Sequence, residues 1–159
     1  MRFRRLSLQE LEPLQQEFKH FLGANGLPAE EWALIKRTDA VRADEMIDLF
    51  SDMVLERVLK NIKTLEFKTP DKWYVFRYNE HDAVCILLES DDASTTNLVE
   101  TPFNELFGSE EHIKNINLSR LQKPHKKARE EEIFNLMNNG GTIAADQLFD
   151  AFADFEAKK

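Results

Sequence analysis

The sequence predicts an α+β fold with a helical N-terminal half, one long central helix, a small antiparallel sheet and two C-terminal helices. Three observations predict it. Apolar residues recur at steps of three and four along residues 40–65, two β-prone runs lie at residues 73–78 and 83–89, and helical apolar stripes return after residue 128. A chain of 159 residues is long enough to bury a core of its own, and we expect a single domain over residues 1–159.

The first helix is predicted from a capping box. Ser7 and Glu10 have the spacing in which a serine side chain caps the helix and a glutamate three residues later reaches back, so the helix begins at Leu8. Pro13 lies in the second turn and delays the regular helix to about Glu12. The apolar stripe comprises Leu11, Leu14, Phe18, Phe21 and Leu22, and Gly23 with Asn25-Gly26 ends it.

Two further helices follow in the N-terminal half. Pro28 suits a first helical position and opens a short helix that continues to about Lys36. Thr38 or Asp39 then caps the long helix over residues 40–65, whose apolar stripe is wide enough to predict packing on more than one side.

The sheet is predicted around a hairpin at residues 73–89. The strands 73–78 and 83–89 are joined by four polar residues, and the second strand, apolar on both faces, should be the more central one. Residues 65–68 are another candidate strand, and residues 113–119 a third strand beside the hairpin.

The remaining segments are predicted as loops and short helices. We expect an exposed loop over 90–100, a short helix over 102–107, a basic loop that contains Pro124, and a helix over 128–138 ended by Gly140-Gly141. Thr142 can cap the last helix, whose stripe includes Phe149 and Phe152.

Charge is distributed unevenly around a net charge of -8. Basic clusters at the N-terminus and at residues 120–129 stand out from an acidic body, which disfavours general nucleic-acid binding because that needs a continuous basic face. The single cysteine, Cys85, lies between apolar neighbours and is expected to be buried and reduced. Since neither a signal peptide nor a membrane span is predicted, we expect a soluble cytoplasmic protein.

Several short motifs stand out along the chain, namely Arg4-Arg5-Leu6, Phe21-Leu22, Ala29-Glu30-Glu31-Trp32, Phe50-Ser51-Asp52, Glu56, Val58-Leu59 and Leu65-Glu66. Together they resemble an uncharacterised bacterial family found mainly in Bacteroidota. The resemblance covers residues 1–90 and, more loosely, the last helix after Gly140-Gly141-Thr142. It implies the order of the elements and a bacterial cytoplasmic setting. Because the family carries only a domain-of-unknown-function label, the resemblance implies no catalytic residues.

An acidic ladder on the long helix is the sharpest candidate site. Asp44, Asp48 and Asp52 stand at i, i+4 and i+8, with Glu56 one turn further on, and like charges at this spacing repel each other. The dipole at the helix N-terminus favours Asp44, Glu45 and at most Asp48, whereas Asp52 lies beyond its reach, so a cation from elsewhere is expected near Asp52 and Glu56. A solvated face, an ion pair with Arg4, Arg5 or the basic segment, and a metal site are the alternatives. Asp146, Asp150 and Asp154 repeat the pattern, which favours a general acidic outer face.

Other chemical motifs are incomplete. Glu17 and His20 have the spacing of a di-iron ligand pair, but the second such motif is missing. The remaining histidines lack the paired spacing of zinc ligands, and neither a catalytic triad around Cys85 nor a phosphate-binding loop is recognisable. We therefore predict no cofactor and no metal.

The basic segment at residues 120–129 is the second candidate site. A solvated or ion-paired loop, an acidic protein partner and a nucleic acid are three hypotheses for it, and the absence of interleaved aromatic residues weakens the last. Its cations are Arg120, Lys123, Lys126, Lys127 and Arg129.

The leading functional hypothesis is a non-enzymatic module that acts through protein contacts with a partner or as a homodimer. The alternatives are an enzyme or metal-dependent site built from Asp48, Asp52 and Glu56, and phosphate or RNA binding through the basic segment. The candidate interaction residues are Arg4, Arg5, Asp52, Glu56, Arg120, Lys123, Lys126, Lys127 and Arg129.

Overall fold

The α+β prediction is confirmed by a computed structural model, which describes residues 1–158. The chain divides into two compact units, Met1–Lys60 and Asn61–Lys159. The first is helical, and the second contains a five-stranded antiparallel sheet with helices. A single domain over residues 1–159 stays a prediction.

The N-terminal unit begins with the predicted capping box. Ser7 Oγ accepts a hydrogen bond from the Glu10 amide at 3.2 Å, and the Glu10 carboxylate accepts one from the Ser7 amide at 2.8 Å. Helix α1 (Leu8–Leu11) is short because Pro13 cannot continue an α-helix, and a 3-10 turn (Glu12–Leu14) leads into α2 (Gln15–Ala24).

Helix α3 (Ala29–Thr38) follows Pro28, and α4 (Ala40–Asn61) is the predicted long helix. The Asp39 carboxylate accepts a hydrogen bond from the Arg42 amide at 3.1 Å, so Asp39 caps α4. Helix α4 ends four residues before the predicted boundary because the chain continues as a strand. Apolar side chains from α2, α3 and α4 form the core of this unit, namely Phe18, Phe21, Leu22, Trp32, Ile35, Ala43, Met46 and Phe50.

The sheet of the second unit is larger than predicted. Its strands are β1 (Thr64–Lys68), β2 (Lys72–Tyr78), β3 (Asp82–Ser90), β4 (Ile116–Pro124) and β5 (Thr142–Ile143), in the order β4-β3-β2-β1-β5. The hairpin and the extra strand before it are confirmed. Strand β2 rather than β3 lies in the middle, since β1 and β5 extend the sheet on its side.

Two boundary predictions near the basic segment were wrong. Residues 113 and 114 belong to α6 (Glu110–Lys114), and the third strand of the prediction begins at Ile116 and continues to Pro124. The first half of the basic segment is therefore a strand instead of a loop, held by ladder pairing to β3.

Thr142 does not cap the last helix, because it pairs with Glu66 in the sheet and α8 (Asp146–Lys158) starts four residues later.

The segment between β3 and α5 (Phe103–Gly108) was predicted to be an exposed loop, but it contributes to the core. Thr96 and Leu98 are fully buried, and the Leu98 amide donates to the Pro70 carbonyl at 2.8 Å. One face of the sheet, including Trp73 and Ile86, packs with Leu98, the short helix α5 and the phenylalanines of α8. Among the helices of residues 1–158, none combines the length and apolar character needed to cross a bilayer.

Helix α7 (Arg129–Asn138) ends in a turn that only glycine fits well. Gly140 has φ +105, and a Cβ atom built on it would lie 2.9 Å from the ring of Phe67. A Gly140→Ala substitution is therefore strained in its backbone and clashes with a side chain of β1.

We expect Gly140→Ala to lower the free energy of unfolding in urea by about 2–4 kcal/mol, combining backbone strain with overpacking. Gly26→Ala is the control, because Gly26 has φ +75 but no atom within 4 Å of a built Cβ. An equal loss in both variants would contradict the assigned clash with Phe67.

Candidate functional site

The acidic ladder of α4 is covered by the N-terminal strap, which we define as residues Arg2 to Leu6. The Asp52 carboxylate accepts hydrogen bonds from the amides of Arg2 at 2.7 Å and Phe3 at 2.9 Å. The fully buried Ser51 hydroxyl accepts one from the Leu6 amide at 3.0 Å. Side chains of one helical turn therefore satisfy three backbone donors of the strap.

Ion pairs complete the contact between the strap and α4. Arg5 donates to Asp48 at 2.6 Å and to Asp44 at 3.2 Å, and hydrogen bonding to Arg5 lowers the pKa of Asp48. Glu56 pairs with Arg2 at 3.2 Å and with Lys60 at 3.5 Å. Of the three hypotheses for this ladder, the geometry supports the internal ion pair.

Arg4 behaves differently from the other strap arginines. Its guanidinium makes two hydrogen bonds of 2.8 Å to the Glu10 carboxylate, in α1 rather than α4. Those bonds, with the capping contact to Ser7, lower the pKa of Glu10 to about 2. Arg4 and Arg5 are thus engaged within their own unit.

Two of the three aspartates of α8 in the repeated acidic pattern also have partners. Asp150 pairs with Arg77 at 3.0 Å, and Asp146 accepts a hydrogen bond from the Thr64 hydroxyl at 2.8 Å. Within residues 1–158, no group of three or more histidine, cysteine, aspartate or glutamate side chains is arranged to hold a metal ion.

Within the basic segment, the two arginines bind other residues of the described chain, and the three lysine side chains do not. Arg120 on β4 donates to Glu156 of α8 at 2.8 Å. Arg129, at the start of α7, donates to the backbone carbonyls of Tyr78 and Ile62 and so joins α7 to the sheet. Both arginines have structural partners, and neither is presented freely to a ligand.

Glu132 fixes the chain between β4 and α7. Its carboxylate accepts hydrogen bonds from the backbone amides of Lys126 at 2.6 Å and Lys127 at 3.1 Å, and lies 3.2 Å from His125 Nδ1. Burial raises the pKa of Glu132, but the two amides and His125 outweigh it, so the net shift is downward. One carboxylate therefore determines where the neighbouring lysines lie.

Lys123, Lys126 and Lys127 form what we call the lysine cluster. All three are exposed, and their side chains make no ion pair or hydrogen bond to any residue of the described chain 1–158. They are the cations of the basic segment that remain available to a partner.

A pocket of about 180 Å³ lies beside the lysine cluster, on the sheet face opposite Trp73 and Ile86. Leu121, 54% exposed, and the partly buried Phe76 supply its apolar surface. The other lining residues are Tyr78, Ala83, Cys85, Lys123, Pro124, Lys126 and Glu132.

Two ionisable groups in this pocket, Cys85 and Tyr78, are poor nucleophiles. Burial raises the pKa of the Cys85 thiol to about 11. Burial, with the neighbouring charge of Glu132, raises the pKa of Tyr78 to about 12. Both groups are neutral at neutral pH, so neither is activated as a nucleophile.

Sequence reasoning did not find the aromatic component of this surface. Aromatic residues do not interleave the basic segment along the chain, but the ladder from β2 through β3 to β4 places Phe76 opposite Cys85 and Cys85 opposite Leu121. The alternation of Tyr74, Phe76 and Tyr78 on one face of β2 was the signal available.

A groove of about 700 Å³ in the N-terminal unit was also missed. It is lined by side chains of the first four helices, among them Leu8, Phe18 and Trp32, with both Lys19 and Glu12 at its polar parts. Because its charges are mixed, the groove does not select one class of partner.

We expect Ser51→Ala to lower the free energy of unfolding by about 1–3 kcal/mol, because it leaves the buried Leu6 amide without an acceptor. Urea titration measures the loss. Ser119→Ala, which removes an exposed hydroxyl from β4, is the control and should change stability by less than about 0.5 kcal/mol. Indistinguishable losses would contradict the role assigned to the strap.

We expect Glu132→Gln to destabilise the protein by about 1–2 kcal/mol at pH 7, since the substitution replaces charge-assisted hydrogen bonds with neutral ones. A lowered pKa means that the carboxylate stabilises the fold above its ordinary pKa of 4.5, and that this contribution is lost as the pH falls through the lowered value. Urea titrations over this range should show wild type and variant converging at low pH. An exposed Glu100→Gln control should show no such convergence.

Comparison with known proteins leaves the function open. No curated protein and no solved structure matches the chain. A family model described as "Family of unknown function (DUF6495)" matches residues 1–157, which includes the whole sheet and the lysine cluster. On this match, the chain belongs to the family of unknown function DUF6495.

Proposed function

We propose that this protein is a non-enzymatic interaction module whose lysine cluster, with Leu121 and Phe76 beside it, binds an acidic segment of a partner protein. The observation that carries the proposal is the contrast within the basic segment. Arg120 and Arg129 are engaged internally, whereas the three lysines are exposed and have no internal partner.

Charge and apolar contact support an acidic protein segment as the partner. The chain as a whole carries -8, so the lysine cluster is a local exception to which acidic groups are drawn. Such charges steer encounter and set specificity, while adjacent apolar surface supplies affinity. Leu121 is 54% exposed and provides that surface next to Lys123.

The two alternatives have less support from the contacts. Asp48, Asp52 and Glu56 already bind the N-terminal strap, so an enzyme or metal site there would have to displace it. For phosphate or RNA, only the lysine cluster remains of the basic segment, a small basic area on an acidic chain.

We also infer a reducing, cytoplasmic setting. The lone Cys85 is partly buried, and its raised pKa disfavours disulfide exchange, which fits a reducing compartment.

The test is binding of a fluorescein-labelled decapeptide of alternating glutamate and valine, measured by fluorescence anisotropy. The triple variant Lys123→Gln, Lys126→Gln, Lys127→Gln should bind about tenfold more weakly than wild type, because exposed charge pairs contribute up to about 1 kcal/mol each. The control triple variant Lys19→Gln, Lys63→Gln, Lys114→Gln makes the same change in net charge elsewhere and should bind like wild type.

Equal weakening in both triple variants would contradict the proposal, since net charge alone would then explain binding. So would tighter binding of a single-stranded RNA oligonucleotide than of the peptide. Light scattering measures whether the protein is a homodimer. If wild type is a dimer and the lysine triple variant is a monomer, the surface binds a second copy of the chain and not an acidic partner.

A further inference from the structure

Strand β4 is an edge of the sheet. Its hydrogen bonds to β3 show which of its residues direct their backbone N–H and C=O groups toward the sheet and which direct them outward. Two backbone bonds extend the β3–β4 pairing at its ends, from the Asp91 amide to the Asn115 carbonyl at 2.7 Å and from the His125 amide to the His81 carbonyl at 3.0 Å. In an antiparallel ladder, such hydrogen-bonded pairs recur at every second residue. Odd-numbered residues of β4 therefore bond to β3.

The even-numbered residues Leu118, Arg120 and Gln122 consequently direct their N–H and C=O groups away from the sheet. None of these backbone groups bonds to another part of the chain within residues 1–158. Pro124 is also an even-numbered residue of β4, so its lack of an N–H group removes no hydrogen bond to β3. The sheet thus ends in a row of open donors and acceptors, the arrangement to which an extended peptide can add.

The positive charge on and beside β4 favours an acidic strand over a second copy of β4 at this edge. Residues 116–124 contain no acidic residue, and since Arg120 is paired with Glu156, the open cation of the strand is Lys123, with the rest of the lysine cluster following immediately. Pairing β4 with β4 of a second copy would bring cationic strands side by side, and like charges on neighbouring strands are destabilising. An acidic strand would be attracted instead.

We infer that an extended acidic segment of a partner protein adds to β4 as a sixth strand. Its backbone bonds to Leu118, Arg120 and Gln122, and its acidic side chains lie on the sheet face that carries Lys123, where their methylene groups contact Leu121. This inference rests on the proposed function and specifies the partner's conformation. Backbone pairing contributes affinity, and the lysine cluster selects acidic sequences.

The substitution Gln122→Pro tests the strand addition. It removes one outward N–H without removing a ladder bond to β3, and it also removes the side-chain hydrogen bond from Gln122 to Asp82. Gln122→Ala is the matched control, because it removes the same side-chain bond and keeps the N–H. We expect Gln122→Pro to weaken binding of the glutamate–valine decapeptide about fivefold to tenfold relative to Gln122→Ala, as for one lost hydrogen bond.

A second measurement uses the peptide, so that the inference does not depend on the proline variant folding. N–H groups of alternate residues in an extended strand point to opposite edges. Methylating the backbone nitrogens of either all valines or all glutamates blocks one edge at a time. One of these peptides should lose binding to wild-type protein and the other should retain it.

Equal binding of both methylated peptides, together with equal affinities of the two Gln122 variants, would overturn the strand addition. If the lysine triple variant still bound the unmethylated peptide more weakly, the proposed function would stand without it. If neither the lysine variant nor methylation changed binding, both would fail.

Discussion

The pairing of β3 with β4, from Asp82–Pro124 to Ser90–Ile116, is the interaction on which the functional part of this structure depends. It converts the first half of a basic segment into an ordered edge strand. The same ladder brings Leu121 next to Cys85, and through β3 to the aromatic face of β2. Without it, the lysines would extend from a loop with no defined apolar surface beside them.

Internal partners decide which charged residues are left for other molecules. In the N-terminal unit, a strap of backbone amides and arginines uses the carboxylates of α4. In the second unit, Glu132 binds two backbone amides of the basic segment and leaves the lysine ammonium groups exposed. The number of charged residues in a segment therefore exceeds the number that can bind another molecule. Some carboxylates already accept hydrogen bonds from backbone N–H groups, and a count of side-chain charges does not show this.

Elements with strong local signals could be predicted from the sequence. The capping box at Ser7, the apolar stripe of α4 and the hairpin of β2 and β3 all have a periodicity or a turn chemistry that acts over a few residues. The extent of β4 had no such signal, since almost all of its residues are exposed and an edge strand need not alternate apolar and polar positions. The two-residue β5 depends on its pairing with β1, which lies far away in the chain.

The candidate site could be predicted only in part for the same reason. Residues 120–129 stood out by charge, but the division between engaged arginines and free lysines follows from partners that are distant in sequence, such as Glu156 and the carbonyl of Tyr78. Arg129, a candidate interaction residue, joins a helix to the sheet through bonds to two backbone carbonyls. The apolar side of the surface came from another strand, so composition within the segment gave no sign of it.

Amide hydrogen exchange tests the central claim, that β4 with its lysine cluster is the binding surface, most directly. In the free protein, the amides of Leu118, Arg120 and Gln122 should exchange fast, while the ladder amides of Ser119, Leu121 and Lys123 should be protected. Saturating glutamate–valine decapeptide should slow exchange at the first three residues and leave the other three unchanged. Slowed exchange confined to other parts of the chain, with no change at these three amides, would contradict the claim.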